Sequence, residues 1–223
     1  MTMGGARLLL GALLACVSFA PAAAADVSGE LGPVSDYRYR GVSLSHERPA
    51  LQGSISLDHP SGLYAQLWGS TLGHGTDTEV DLTGGYQADL SEHLNMDLSG
   101  TWYAYPSGSD TNYVEGTAAT TVSHEAVSAK FGISFVPPQH LTTSNVYAFT
   151  EGSYEIPRTP VSLTASLGYE RGGFDEVEHG GKWDWKLGAE TTLNPAKLCL
   201  AYVGSNADGG HRHALVASAF LTW

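Results

Sequence analysis

Ten charged side chains recur at a spacing that gathers them onto strand faces. Asp36, Arg38 and Arg40 alternate with rings in Ser35–Gly53, which reads SDYRYRGVSLSHERPALQG. Glu79 and Asp81 stand two apart, as do Lys182, Asp184 and Lys186, with Glu115 and Glu170 between these groups in the chain. Residues two apart on a strand share a face. Gathered at one level, these side chains could form a charged ring that admits and sorts polar or ionic solutes. They could equally form a network of ion pairs that fills and stiffens the same space. Four cations face six carboxylates, a net charge of −2, so an open ring is expected to favour cations modestly.

Other chemistry has less support. Ser45 beside His46, and Asp208 near His211, are the pairs a hydrolase would need, but adjacency in sequence does not orient them. There is no G-x-S-x-G, no phosphate-binding loop and no H-E-x-x-H, so no enzyme and no cofactor is expected. Of nine histidines, His46, His74, His140, His179 and His211 fall in or beside expected loops, and His211 shares a strand face with His213. They read as solvated, without a tight metal-ligand motif. The chain carries 23 acidic against 11 basic residues, which disfavours nucleic acid.

The elements that must position the charged residues are strands. Met1–Ala25 reads as a secretory signal peptide: Arg7, an apolar run Leu8–Ala20, and Ala23-x-Ala25 before Asp26. The run is too short to span a membrane, which takes about 20 residues. A lipoprotein signal ending before Cys16 is the rival reading, although the apolar run continues past that cysteine. With cleavage after Ala25, Cys16 leaves with the signal, and Cys199 has no partner for an intrachain disulfide. Charged residues make up 15% of the chain, below the roughly 25% usual for soluble proteins.

Alternation predicts twelve strands: 27–40, 49–57, 63–70, 79–88, 94–105, 112–123, 127–136, 144–156, 161–170, 182–193, 197–204 and 211–223. The connections sort into two sets. Short turns lie at 58–62, 89–93, 124–126, 157–160 and 194–196. Mostly longer loops lie at 41–48, 71–78, 106–111, 137–143, 171–181 and 205–210. An even strand number with short turns at one end and longer loops at the other marks an all-β, antiparallel, up-and-down barrel of the bacterial outer membrane. Its partners would be outer-membrane lipid and lipopolysaccharide. In Lys182–Leu193 one face holds Trp183, Trp185, Leu187, Ala189 and Leu193. In such a barrel Tyr37, Tyr39, Trp102, Trp183 and Trp185 would point outward into an aromatic girdle, with a sugar-binding platform as the alternative. The last strand places Leu221 and the terminal Trp223 on one face. That ending resembles the signal read by the outer-membrane assembly machinery.

The opening stretch also carries a family resemblance. Ser35–Gly53 is followed in order by Gly62-Leu63-Tyr64, Trp68-Gly69-Ser70, Glu79, Asp81, Gly85-Tyr86, Tyr103-Ala104-Tyr105-Pro106 and Asn112-Tyr113-Val114-Glu115. Dense over Ser35–Glu115, this set resembles the TorF-type porins of bacterial outer membranes. The resemblance implies a β-barrel, residues 26–223, through which small polar solutes diffuse passively. The alternative is a plugged barrel with a binding, adhesion or structural role.

A barrel leaves a simple signature. The protein is expected to fractionate with outer membranes and to migrate faster on gels unboiled than boiled. Recovery as a detergent-free periplasmic protein would rule the barrel out.

Overall fold

The structure, a computed structural model, describes residues 25–73, 77–106, 112–139, 142–209 and 212–223. The expected signal peptide falls outside these except for Ala25, as do His74, His140 and His211. Twelve strands close into one antiparallel barrel, and two more pair as a small ribbon. In chain order they are β1 (Asp26–Val34), β2 (Arg38–Tyr39), β3 (Val42–Ser43), β4 (Ala50–Asp58), β5 (Leu63–Thr71), β6 (Thr78–Ser91) and β7 (Leu94–Ala104). There follow β8 (Tyr113–His124), β9 (Val127–Val136), β10 (Asn145–Glu155), β11 (Val161–Gly172), β12 (Lys182–Leu193), β13 (Ala196–Ser205) and β14 (His213–Thr222). Each wall strand pairs with its neighbour in the chain, and β1 closes on β14 with Glu30 opposite Thr222. Gly29 and Trp223 exchange both backbone hydrogen bonds at 3.1 Å across this seam.

Period-two patterning explains the two surfaces. Leu31, Leu82, Phe131, Leu187 and Leu215 point away from the lumen and are 49–67% exposed. Their strand neighbours turn polar groups inward, where hydroxyls pair across strands: Thr83 with Thr101, Thr117 with Ser134, and Ser128 with Ser153, at 2.8–2.9 Å. An apolar outside around a hydroxyl-lined inside is stable in hydrocarbon, because a closed barrel leaves no backbone donor unpaired. The molecule is an outer-membrane barrel.

The first strand departs from expectation. It ends at Val34, not Arg40. Ser35 makes the last contact with the wall: its N–H donates to Ala217 O at 2.8 Å, and its hydroxyl accepts from Ala217 N–H. The chain then bends into the lumen and forms β2 and β3. Arg40 and Gly41 both have positive φ, 46° and 82°. Two such residues make the tight turn that fits a two-residue hairpin. The alternation of residues 36–40 is therefore real but belongs to a ribbon inside the barrel. A period of two cannot distinguish a wall strand from a short hairpin arm.

Leu187 is 65% exposed on the lipid side, while Lys186 beside it faces lumenal water. Leu187→Arg is expected to cost about 2–4 kcal/mol near the bilayer midplane. Lys186→Arg should fold as wild type. Urea titration of folding into lipid vesicles measures both.

Candidate functional site

The inserted hairpin and the wall it meets form the candidate site. Residues 35–45 are held first by their own backbone. Leu44 N–H donates to Tyr37 O at 2.8 Å, and Tyr37 N–H donates to the Ser45 hydroxyl at 2.9 Å. Asp36 closes the base of the loop. It accepts from Arg38 Nε at 2.6 Å and from the hydroxyls of Ser43 and Ser45. Arg38 also donates to Gly41 O.

Arg40, at the tip, joins the hairpin to the far wall. Its Nη2 donates to both oxygens of Glu115 on β8, at 2.7 and 2.8 Å, and its Nη1 donates to Glu170 on β11 at 2.5 Å. Lys182 on β12 pairs with the other Glu170 oxygen at 2.6 Å, and Asn145 donates to Glu170 at 2.9 Å. The guanidinium lies 4.0 Å above the Tyr147 ring and 4.7 Å from its neighbour Tyr39. Arg40 and Glu170 side chains are 7% and 1% exposed. Two cations and two carboxylates thus neutralise one another in a buried cluster. Truncating one member of such a set is costly, because it strands the others in low dielectric.

The opposite wall differs. Glu79 and Asp81 share the lumenal face of β6, and Glu79 is 1% exposed. Glu79 Oε1 accepts from the Tyr105 hydroxyl at 2.8 Å, and the Tyr37 phenol lies against the same carboxylate. Burial, and then the Glu79 charge, hold the Tyr105 phenol above its ordinary pKa, so it stays a donor. Tyr37 packs on Trp68 of β5 with ring centroids 5.3 Å apart.

Space remains on both sides of the hairpin. Toward the longer loops a cavity of about 380 Å³ is lined by Val42, Ser43, His46, Glu47, Glu176 and Asp208. On the inner side one of about 340 Å³ is lined by Arg38, Tyr39, Glu151, Asp184 and Lys186. Gly41 borders both.

Seven of the ten expected lumenal residues meet in these two clusters: Asp36, Arg38, Arg40, Glu115, Glu170 and Lys182 with the hairpin, and Asp184 beside them, accepting from Tyr147 at 3.1 Å. Glu79 and Asp81 form the separate wall. Lys186 sits deeper, reaching a further cavity of about 240 Å³. Tyr37 and Tyr39 require correction. Tyr37 is 7% exposed inside the barrel, and the Tyr39 hydroxyl meets that of Tyr103 at 3.1 Å, so neither belongs to a lipid-facing girdle. They left the wall with the hairpin. Trp102 and Trp183 do point outward, nearly half exposed, and Trp185 shares that face with its ring over Gly204. Leu221 and Trp223 are also outward, 59% and 63% exposed. Sequence reasoning missed Tyr103, Tyr105, Asn145 and Tyr147. The phase of Tyr147 with Glu151 was the available signal, obscured because rings occur on both faces of β10. Among the described residues no group of three or more His, Cys, Asp or Glu could hold a metal ion.

Comparison with known proteins agrees with the architecture. Residues 19–219 match the sequence profile of a family described as "Bacterial protein of unknown function (Gcw_chp)". No curated protein matches the chain. Among solved structures, the KdgM porin superposes with a TM-score of 0.64 at 6% identity, covering 89% of this chain and 98% of that one. The NanC porin gives 0.59 at 9% identity, covering 88% and 98%. An outer-membrane channel from Pseudomonas putida F1 gives 0.54 at 13% identity, covering 89% and 94%. At these identities the likeness concerns the fold.

Arg40→Ala should leave Glu115 and Glu170 without their shared cation. A loss of about 3–5 kcal/mol is expected, as for other broken buried pairs. Chemical denaturation of the refolded barrel measures it, and a loss below about 1 kcal/mol, the scale of an exposed pair, would place Arg40 in water instead.

Proposed function

The chain belongs to the Gcw_chp family of bacterial proteins of unknown function, and for this member we propose a narrow outer-membrane channel for passive diffusion of small polar or ionic solutes, with a weak preference for cations. The observation that carries this reading is the charged hairpin standing between two cavities of a closed, hydroxyl-lined lumen. A twelve-stranded barrel lies between small barrels filled by side chains and open sixteen-stranded porins. An inserted hairpin narrows such a bore without needing a long loop.

The charge arrangement supports the cation preference. Arg38 is matched by Asp36, and Arg40 with Lys182 by Glu115 with Glu170. The remainder is Glu79, Asp81 and Asp184 against Lys186. Carboxylates along a low-dielectric wall draw cations inward. The fold of the KdgM and NanC porins and the TorF-type resemblance of Ser35–Glu115 support a porin. KdgM has been solved with oligogalacturonate, a polar solute. In this reading residues 1–25 export the chain. Leu221 and Trp223 present it to the assembly machinery, and Trp102, Trp183 and Trp185 meet lipid headgroups and lipopolysaccharide. Transport is passive, with no catalytic step.

A second reading, a plugged barrel with a binding or structural role, is favoured by the burial of the Arg40 cluster. Planar-bilayer recording separates the two. A channel should show small, stable conductance steps and a reversal potential on the cation side. The preference should fade near 1 M salt, where the screening length is about 3 Å. Replacing Glu79 and Asp81 by Gln and Asn should move the reversal potential toward anions. Anion selectivity in the wild type would overturn the charge assignment. Silence in the wild type with conductance in Arg40→Ala would favour the plug.

A further inference from the structure

Deeper in the lumen, below the hairpin, three charges stand in one row. Lys130 on β9 is opposite Glu151 on β10, Glu151 is opposite Ser166 on β11, and Ser166 is opposite Lys186 on β12. All four line the cavity of about 240 Å³, with the hydroxyls of Thr121 and Thr164. Among the described residues no ion pair or hydrogen bond reaches Lys130, Glu151 or Lys186, although Lys130 and Glu151 are direct neighbours. The outer level is built differently: Arg38, Arg40 and Lys182 each have a carboxylate within 2.7 Å. The row therefore offers a positive, a negative and a positive group, in that order, to whatever occupies the cavity.

We propose that this row binds a small zwitterion with an ammonium and a carboxylate on one carbon, as a free α-amino acid has. The proposal rests on the channel reading for its role, but the site itself does not depend on conduction. The order of signs selects the class. A solute anion between the lysines meets Glu151, and a solute cation at Glu151 meets a lysine on either side. A solute carrying both charges is matched at each end. Register sets the placement. Lys130 and Glu151 are on adjacent strands, about 5 Å apart, too close to seat a solute between them. Glu151 and Lys186 are two strands apart, about 10 Å of wall, with the small Ser166 between. Strand side chains stand roughly perpendicular to the sheet, so this spacing carries into the lumen. Two charge-assisted hydrogen bonds of about 2.8 Å, plus about 3.5 Å from an amino nitrogen to a carboxylate oxygen three bonds away, come close to that width. The ammonium donates to Glu151, the carboxylate accepts from Lys186, and the Ser166 hydroxyl lies beneath them. Lys130 keeps a second cation off Glu151. The cavity is smaller than the roughly 300–1,000 Å³ of drug-sized ligand sites, which restricts the solute to a short side chain. Glu151 and Lys186 are exposed to lumenal water, so binding is weak and exchange fast, as a site on a diffusion path requires.

The test uses the full chain refolded in non-ionic detergent micelles, with its fold checked by the gel shift on boiling. Saturation-transfer NMR reads the methyl protons of L-alanine. Transfer from the barrel should rise saturably with L-alanine in the wild type, and glycine should displace it. It should be kept in Glu190→Gln and Lys197→Gln, which remove the same charges near Cys199 but outside the cavity. Glu151→Gln and Lys186→Gln should each weaken binding by about tenfold or more, the loss of one charge-assisted hydrogen bond. If one of the two fails to fold, the other carries the test. Acetate and ethylammonium each have a methyl group and only one of the two charges, and neither should bind. A wild type without transfer overturns the proposal, as does transfer undiminished in Glu151→Gln or Lys186→Gln. Acetate binding as well as L-alanine would make the row an anion site, and ethylammonium doing so would make it a cation site; either overturns the proposal. Saturation transfer needs no ion flow. A silent barrel that binds L-alanine keeps the site and loses the channel, and a conducting barrel that does not bind it does the reverse.

Discussion

The contact of Arg40 with Glu115 and Glu170 ties the hairpin to the wall, and the arrangement of the outer lumen depends on it. Before that contact the hairpin has its own backbone bonds and the Asp36 cluster, which shape it but do not dock it. The guanidinium spans β8 and β11, while Gly41 presses against β13, close enough that a Cβ there would meet Gly204 O at 2.6 Å. Arginine suits this place because its planar fork can serve two carboxylates and lie on a ring at once. Lysine would offer a point charge and lose the fork.

Space for the hairpin comes from glycine opposite aromatic residues. Phe149 lies over Gly132, and Tyr147 over Gly168, each pair on one lumenal face of adjacent strands. A side chain at either glycine would collide with the ring and lift it toward the axis. Laid against the wall, Tyr147 can take the Arg40 cation on its face and donate its hydroxyl to Asp184. The same rings thus make room for the inserted segment and receive its charge. Stacking of Tyr103 on Tyr113, with centroids 4.4 Å apart, continues this lining on the neighbouring strands.

Much of the barrel was legible in the sequence. Strand number, the phase of β11 and β12, and the sorting of loops by length all follow from alternation and turn chemistry, which are local properties. Membership of the lumenal face was legible for the same reason at Glu79, Asp81, Glu115, Glu170 and Lys182. The path of residues 35–49 was not. Asp36, Arg38 and Arg40 alternate with Tyr37 and Tyr39 identically whether they continue β1 or turn into the lumen. The choice is set by partners 75 and 130 residues away, Glu115 and Glu170. A conformational cue existed in Arg40-Gly41, a dipeptide able to make a two-residue turn, but arginine is an uncommon residue at positive φ. Tyr37 and Tyr39 read as girdle residues because rings beside a charged face are what a barrel rim shows.

The hairpin also decides where unbalanced charge resides. Its Asp36 and Arg38 cancel each other, so the charge it brings to the wall is that of Arg40. Without Arg40, Glu115 and Glu170 would outweigh Lys182 on the β8–β12 side, and both sides of the lumen would be acidic. With it, that side is neutral, and the acid that lacks a cation is concentrated on β6 at Glu79 and Asp81. A uniform ring would spread its charge around the lumen, whereas this division leaves the uncompensated acid on one wall, with Asp81 opposite Trp68 of β5. The hairpin therefore narrows the lumen and sets its electrical asymmetry through the same residue.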